Sequence, residues 1–124
     1  MLRSVPKAEV RFGLDWTIAS LEMSAAAFSE KYDVPYFEFE EEGLSLGLGF
    51  VVETEQGFQF GLRTFVHGAP QYLEVVVNEM SVTPREDLQA ALTALGIEES
   101  DLAWISEDVV RNCNPWLAGR GPVT

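Results

Sequence analysis

Between residues 36 and 80 the chain alternates apolar and polar positions through four short runs, with a turn signal between each run and the next. A period of two sends successive side chains to opposite faces of a strand, so this stretch can bury one face of a sheet. The turns then set the register. Glu55-Gln56-Gly57 suits a three-residue hairpin loop whose last position is left-handed, a conformation cheapest for glycine. That loop pairs Val52 with Phe60 and Phe50 with Leu62, which keeps both apolar rows on one face. A two-residue loop would set Phe50 against Gly61 and split the rows. A turn at Glu42-Gly43 places Phe37 and Phe39 on the face of Leu44, Leu46 and Leu48. A loop over Gly68-Ala69-Pro70-Gln71 aligns Leu73, Val75 and Val77 with Val66, Thr64 and Leu62. The expectation is a four-stranded antiparallel meander with one strongly apolar face.

Helices flank the meander. Leu14, Ile18, Leu21, Ala25, Phe28 and Tyr32 recur at the spacing of a helix face and predict a helix over 15–32, ending before Pro35. Val10, Phe12, Leu14, Trp16 and Ile18 also alternate as a strand would, which leaves room for a short strand over 8–13. After the meander, Thr83 as N-cap, Pro84 at the first helical position and Glu86 closing a capping box mark a helix. Leu88, Leu92 and Leu95 are its buried stripe, and Gly96 with Ile97 ends it. A further helix over 100–111, opened by Ser100, would bury Leu102, Ile105 and Val109. Residues 112–124, with Pro115, Gly119, Gly121 and Pro122, read as an irregular tail. The fold class is therefore α+β, residues 1–124 forming one domain with one N-terminal and two C-terminal helices packed on one face of the sheet.

Composition narrows the partners. Of 124 residues 47% are apolar, enough for a real core. The net charge is −12. Residues 1–31 hold four acids and four bases, and 111–124 hold two arginines and no acid. Sixteen of the 20 acids therefore lie in 32–110 against Arg63 and Arg85 alone, a net −14. A field of that sign repels nucleic acid and anionic membrane and speeds encounter with a basic protein. The one cysteine, Cys113, permits no intrachain disulfide, and MLRSVPKAEVRF has no apolar core like that of an export signal. Both point to the cytoplasm.

No constellation of residues compels a chemistry. Glu38, Glu40, Glu41 and Glu42 lie close together but lack the loop pattern of a calcium site and any histidine ligand. Gly47-Leu48-Gly49 is followed by strand residues and lacks a phosphate loop's lysine, so the glycines are structural, with Gly47 opposite Phe65 and under an aromatic ring. His67 falls beside Tyr72 with Glu74 on the same face, yet no nucleophile accompanies them. No cofactor, metal or catalytic residue is assigned, and the expectation is a binding protein, not an enzyme.

The most informative surface is the sheet face turned away from the helices. In this register it carries Glu38, Glu40, Glu53, Arg63, Phe65, His67, Tyr72 and Glu74 around a glycine-rich floor. An apolar centre with a charged rim is the anatomy of a protein-binding surface. A fold-back of the N-terminal segment, or a second copy forming a homodimer, would cover it instead. In size and acidity the chain is of the general type of bacterial immunity proteins, which neutralise a cognate toxin, although no motif residue carries that likeness. The leading reading is an inhibitor that caps a basic toxin or enzyme. A secretion-chaperone-like carrier of an effector segment and a small-ligand-binding protein are the alternatives.

Overall fold

The structure, a computed structural model, describes residues 2–11, 15–40 and 46–118. The meander is present. Strands β3 (Phe37–Glu40), β4 (Leu46–Glu53), β5 (Gln59–Phe65) and β6 (Leu73–Asn78) pair antiparallel in sequence order. Val52 faces Phe60 and Phe50 faces Leu62, as the three-residue loop requires, and Gly57 has φ 87°.

The sheet is wider than the meander, with seven strands among the described residues in place of the expected four. β1 (Arg3–Ser4) pairs with the end of β4 that β3 leaves free, and β2 (Asp15–Leu21) lies between β6 and β7 (Leu102–Ile105). Two expected helices are thereby corrected. Residues 15–21 are a strand, and only α1 (Ala25–Tyr32), capped by the Ser24 hydroxyl accepting from the Ala27 N–H at 3.1 Å, is helical. Residues 102–105 are likewise a strand, with α3 (Glu107–Val110) following it. The expected strand over 8–13 is instead a 3-10 turn, Lys7–Glu9, as far as the described residues extend. The predicted tail is ordered at its start. Asn114 donates to the Glu79 and Ser81 carbonyls, both at 2.7 Å, and the short helix α4 (Pro115–Ala118) follows.

The helices share one face because of how the chain crosses. β2 and β3 run parallel, and so do β6 and β7; α1 and α2 (Pro84–Leu95) are the crossovers that parallel strands require. Phe28 of α1, Leu88, Ala91, Leu92 and Leu95 of α2, and Val109 of α3 all join one core with the inward rows of the sheet. Burying that many large side chains at about 1.5–3 kcal/mol each supplies most of the driving force. α2 ends as predicted, with Gly96 at φ 71° and the Ile97 N–H returning to the Leu92 carbonyl at 3.1 Å. Its start differs: Thr83 holds the N-cap position, but no capping box forms. The Ser81 and Thr83 hydroxyls turn to Asp87, and Asn112 caps from outside by accepting from the Arg85 N–H at 3.2 Å.

Two registers need correction. The turn expected at Glu42-Gly43 lies outside the described residues, but its consequence is visible. Phe37 faces Gly49 and Phe39 faces Gly47, one residue away from the expected pairing. A one-residue slip exchanges faces, so the phenylalanines lie on the outer face and Glu38 and Glu40 on the inner one. Bare glycine backbone explains the choice, because the two rings fill space that Gly47 and Gly49 leave open. Between β5 and β6, Leu62 faces Val75 instead of Val77. Successive turns, closed by Gly68 N–H to Phe65 O at 3.0 Å and Tyr72 N–H to Ala69 O at 2.9 Å, take up residues assigned to the ladder. His67 and Tyr72 therefore are not a cross-strand pair.

Candidate functional site on the outer sheet face

Strand alternation sends Gly47, Gly49, Val51 and Glu53 of β4 to the outer face, with Gln59, Gly61, Arg63 and Phe65 beside them on β5. At one end the face is aromatic. The Phe39 ring lies so closely over Gly47 that a β-carbon there would meet its edge at 2.3 Å, and a β-carbon at position 49 would meet the Phe37 ring at 3.1 Å. Phe39 meets Phe65 edge-on, with ring centres 5.7 Å apart, and Phe37 at 6.1 Å. Phe37 remains 49% exposed. Three aromatic rings thus lie on a floor with no side chains of its own, and the outermost faces solvent.

At the other end the N-terminal segment folds over the sheet. Glu53 anchors it: Arg3 donates to one carboxylate oxygen at 2.6 Å and Arg11 to the other at 3.1 Å. Gln59, buried beneath, accepts from the Arg11 N–H at 2.9 Å and donates to the Glu9 carbonyl at 3.0 Å. Hydrogen bonds from Arg3, then from Gln59, hold the Glu53 carboxyl below the usual glutamate range. Between this strap and the start of β3 runs a groove of about 560 Å³, lined by apolar side chains such as Val5, Val10, Val51 and Phe37 together with Lys7 and Glu38.

A polar cluster occupies the middle of the face. Thr17 of β2 donates to Glu74 of β6 at 2.8 Å and accepts from Arg63 at 3.1 Å, while the Arg63 Nε lies 3.5 Å from the same carboxylate. Three neighbouring strands are tied together by these contacts, which engage Arg63 and Glu74 with each other and with Thr17. Among the described residues no group of three or more His, Cys, Asp and Glu side chains is placed to hold a metal ion. No helix there is long and apolar enough to cross a membrane.

No protein-family model matches the chain, and no curated protein or solved structure shows detectable similarity to it.

The residues expected at the site are therefore divided. Arg63, Phe65 and Glu74 do share the outer face, Arg63 and Glu74 as a cross-strand pair. Glu53 is also there, but as the strap's anchor, its side chain only 14% exposed. His67 is exposed in the turn after β5, and Tyr72 stands half-buried just before β6. Glu38 and Glu40 border the aromatic end from the opposite side of β3 and are exposed. Phe37, Phe39 and Thr17 were not expected on this face. The paired glycines, which need an aromatic cover, were the available signal for the first two.

Proposed function

We propose that the protein is an acidic binding module that caps a basic partner, an inhibitor of the immunity-protein type acting on a toxin or enzyme. The supporting observation is the asymmetry in how the charges are used. Each of the five arginines among the described residues lies within ion-pair distance of a carboxylate of the same chain: Arg3 and Arg11 to Glu53, Arg63 to Glu74, Arg85 to Glu99, Arg111 to Glu107. The described arginines are thus engaged within the chain, and much of the surplus acid, Glu38 and Glu40 among it, is exposed. Where exposed carboxylates border the exposed aromatic rings, along β3, the surface offers both long-range attraction and an apolar anchor.

The direct test is capture at low salt from the native cytosol, followed by assay of what is retained. The reading requires a basic enzyme that is inhibited one-to-one and whose association slows as salt is added. Retained proteins that are neutral or acidic, or a basic enzyme whose activity is unchanged by the complex, would refute it.

A further inference from the structure

The two lateral edges of the sheet are not alike. β7 forms one edge, and it is bulged at Ala103, where two residues of β7 oppose one step of β2. A bulge twists an edge away from further pairing. At the other edge β3 is regular across all four pairs with β4, and among the described residues it carries no ladder on its open side. Phe37 and Phe39 project to the outer face, and Glu38 and Glu40 to the inner one. Among the described residues neither carboxylate takes part in a hydrogen bond or ion pair.

We propose that β3 is a docking edge which accepts an extended strand of a basic partner, one in which apolar and basic residues alternate. This deepens the binding-module reading and rests on it. An added strand places its side chains about 4.5–5.5 Å from those directly opposite. Apolar side chains then meet Phe37 and Phe39 on the outer face, with the groove beside β3 to receive them, and lysine or arginine meets Glu38 and Glu40 on the inner face. The open backbone groups of β3 supply the ladder. The same carboxylates bar a second copy of this chain, because edge-to-edge pairing of two β3 strands would stack glutamates against glutamates on molecules of net charge −12. The edge is better matched to a strand of opposite charge than to itself.

The test uses the whole protein, 15N-labelled, titrated with a nine-residue peptide alternating valine and lysine. Three controls accompany it: the same residues in two blocks, an alternating valine–glutamate peptide, and the valine–lysine peptide N-methylated at alternate amides in each register. The expected result is amide shifts centred on Phe37–Glu40 and binding about tenfold tighter than the block peptide, the share of two cross-strand ion pairs. N-methylation in one register only should abolish binding. The double variant Glu38→Lys/Glu40→Lys, at exposed positions where a folded protein is expected, should prefer the valine–glutamate peptide. Equal binding of the block peptide, indifference to N-methylation, or shifts elsewhere overturns the edge. A self-association that Glu38→Lys/Glu40→Lys abolishes also overturns it, by making a second copy the occupant. If a basic enzyme is captured and inhibited but the double variant binds it unchanged, the edge fails while the binding module stands. If neither the enzyme nor any lysine peptide binds, both fail.

Discussion

At the scale of single residues, the outer face depends on what glycine omits. A β-carbon at position 47 would lie 2.3–2.6 Å from the Phe39 ring. Phe39 is only half-buried, so the ring can swing outward, and alanine suits a strand better than glycine by about 0.5–1 kcal/mol. Gly47→Ala is therefore expected to leave the melting temperature within a few degrees of wild type. The Phe39–Phe65 contact should be lost, seen as altered ring-current shifts around Phe65, together with weaker capture of the partner. A large loss of stability would mean that the ring cannot move. Asn114 lies at the opposite extreme, a buried polar side chain with every contact filled. It donates to the Glu79 and Ser81 carbonyls and accepts from the Trp116 N–H at 2.9 Å. Asn114→Ala removes these three hydrogen bonds and should cost about 1–3 kcal/mol in urea unfolding, whereas surface changes nearby should cost little. A sequence without an alignment shows nothing of this, since an asparagine in a Pro- and Gly-rich stretch reads as loop. Only the fold brings residue 114 back to 79 and 81.

At the scale of elements, both misread segments fail for one reason. Helix periodicity is recognised by apolar residues three and four apart, and a β-bulge produces the same spacing inside a strand. In β2 the register slips between Thr17 and Ala19, so Ile18 and Ala19 are both buried and Ile18 to Leu21 mimics a helical step. In β7 the extra residue is Ala103, and Leu102 and Ile105 both reach the core. The β4–β5 hairpin was legible because a tight loop fixes its register unaided, and α2 because proline and glycine mark its ends. Other registers depended on longer connections and could slip. The strap gives this scale its prediction. Glu53 has its pKa depressed in the folded protein by Arg3 above all, so its contribution is present above the ordinary glutamate value of about 4.3 and is lost as pH falls through the depressed one. Glu53→Gln should therefore narrow the stability difference between neutral and acid pH. At neutral pH it should also speed amide exchange at Val5 and Arg11, whose N–H groups bond to Val51 and Gln59. Unchanged exchange at both amides would show that the strap is held by its apolar contacts alone.

At the scale of the whole molecule, long-range charge and short-range contact act on different rate constants. Exposed acids outside the contact bias the encounter, while groups inside it set how long a complex lasts. Glu22, Glu30 and Glu86 are exposed, none lies in β3, and none forms an ion pair among the described residues. Neutralising all three to glutamine removes three of the 20 acids and should slow association with the basic partner several-fold at 25 mM salt, with the dissociation rate nearly unchanged. At 250 mM salt, where charges more than about 6–8 Å apart are screened, the difference from wild type should largely vanish. Glu38→Gln with Glu40→Gln should do the reverse, modestly slowing association and raising the dissociation rate about tenfold, since those carboxylates would be in the contact itself. Stopped-flow association and surface-based dissociation on the same complex separate the two sets. If the three substitutions outside β3 changed dissociation as much as the pair on β3, the acidity would be working as contact over a broad face, and β3 would hold no privileged place in it.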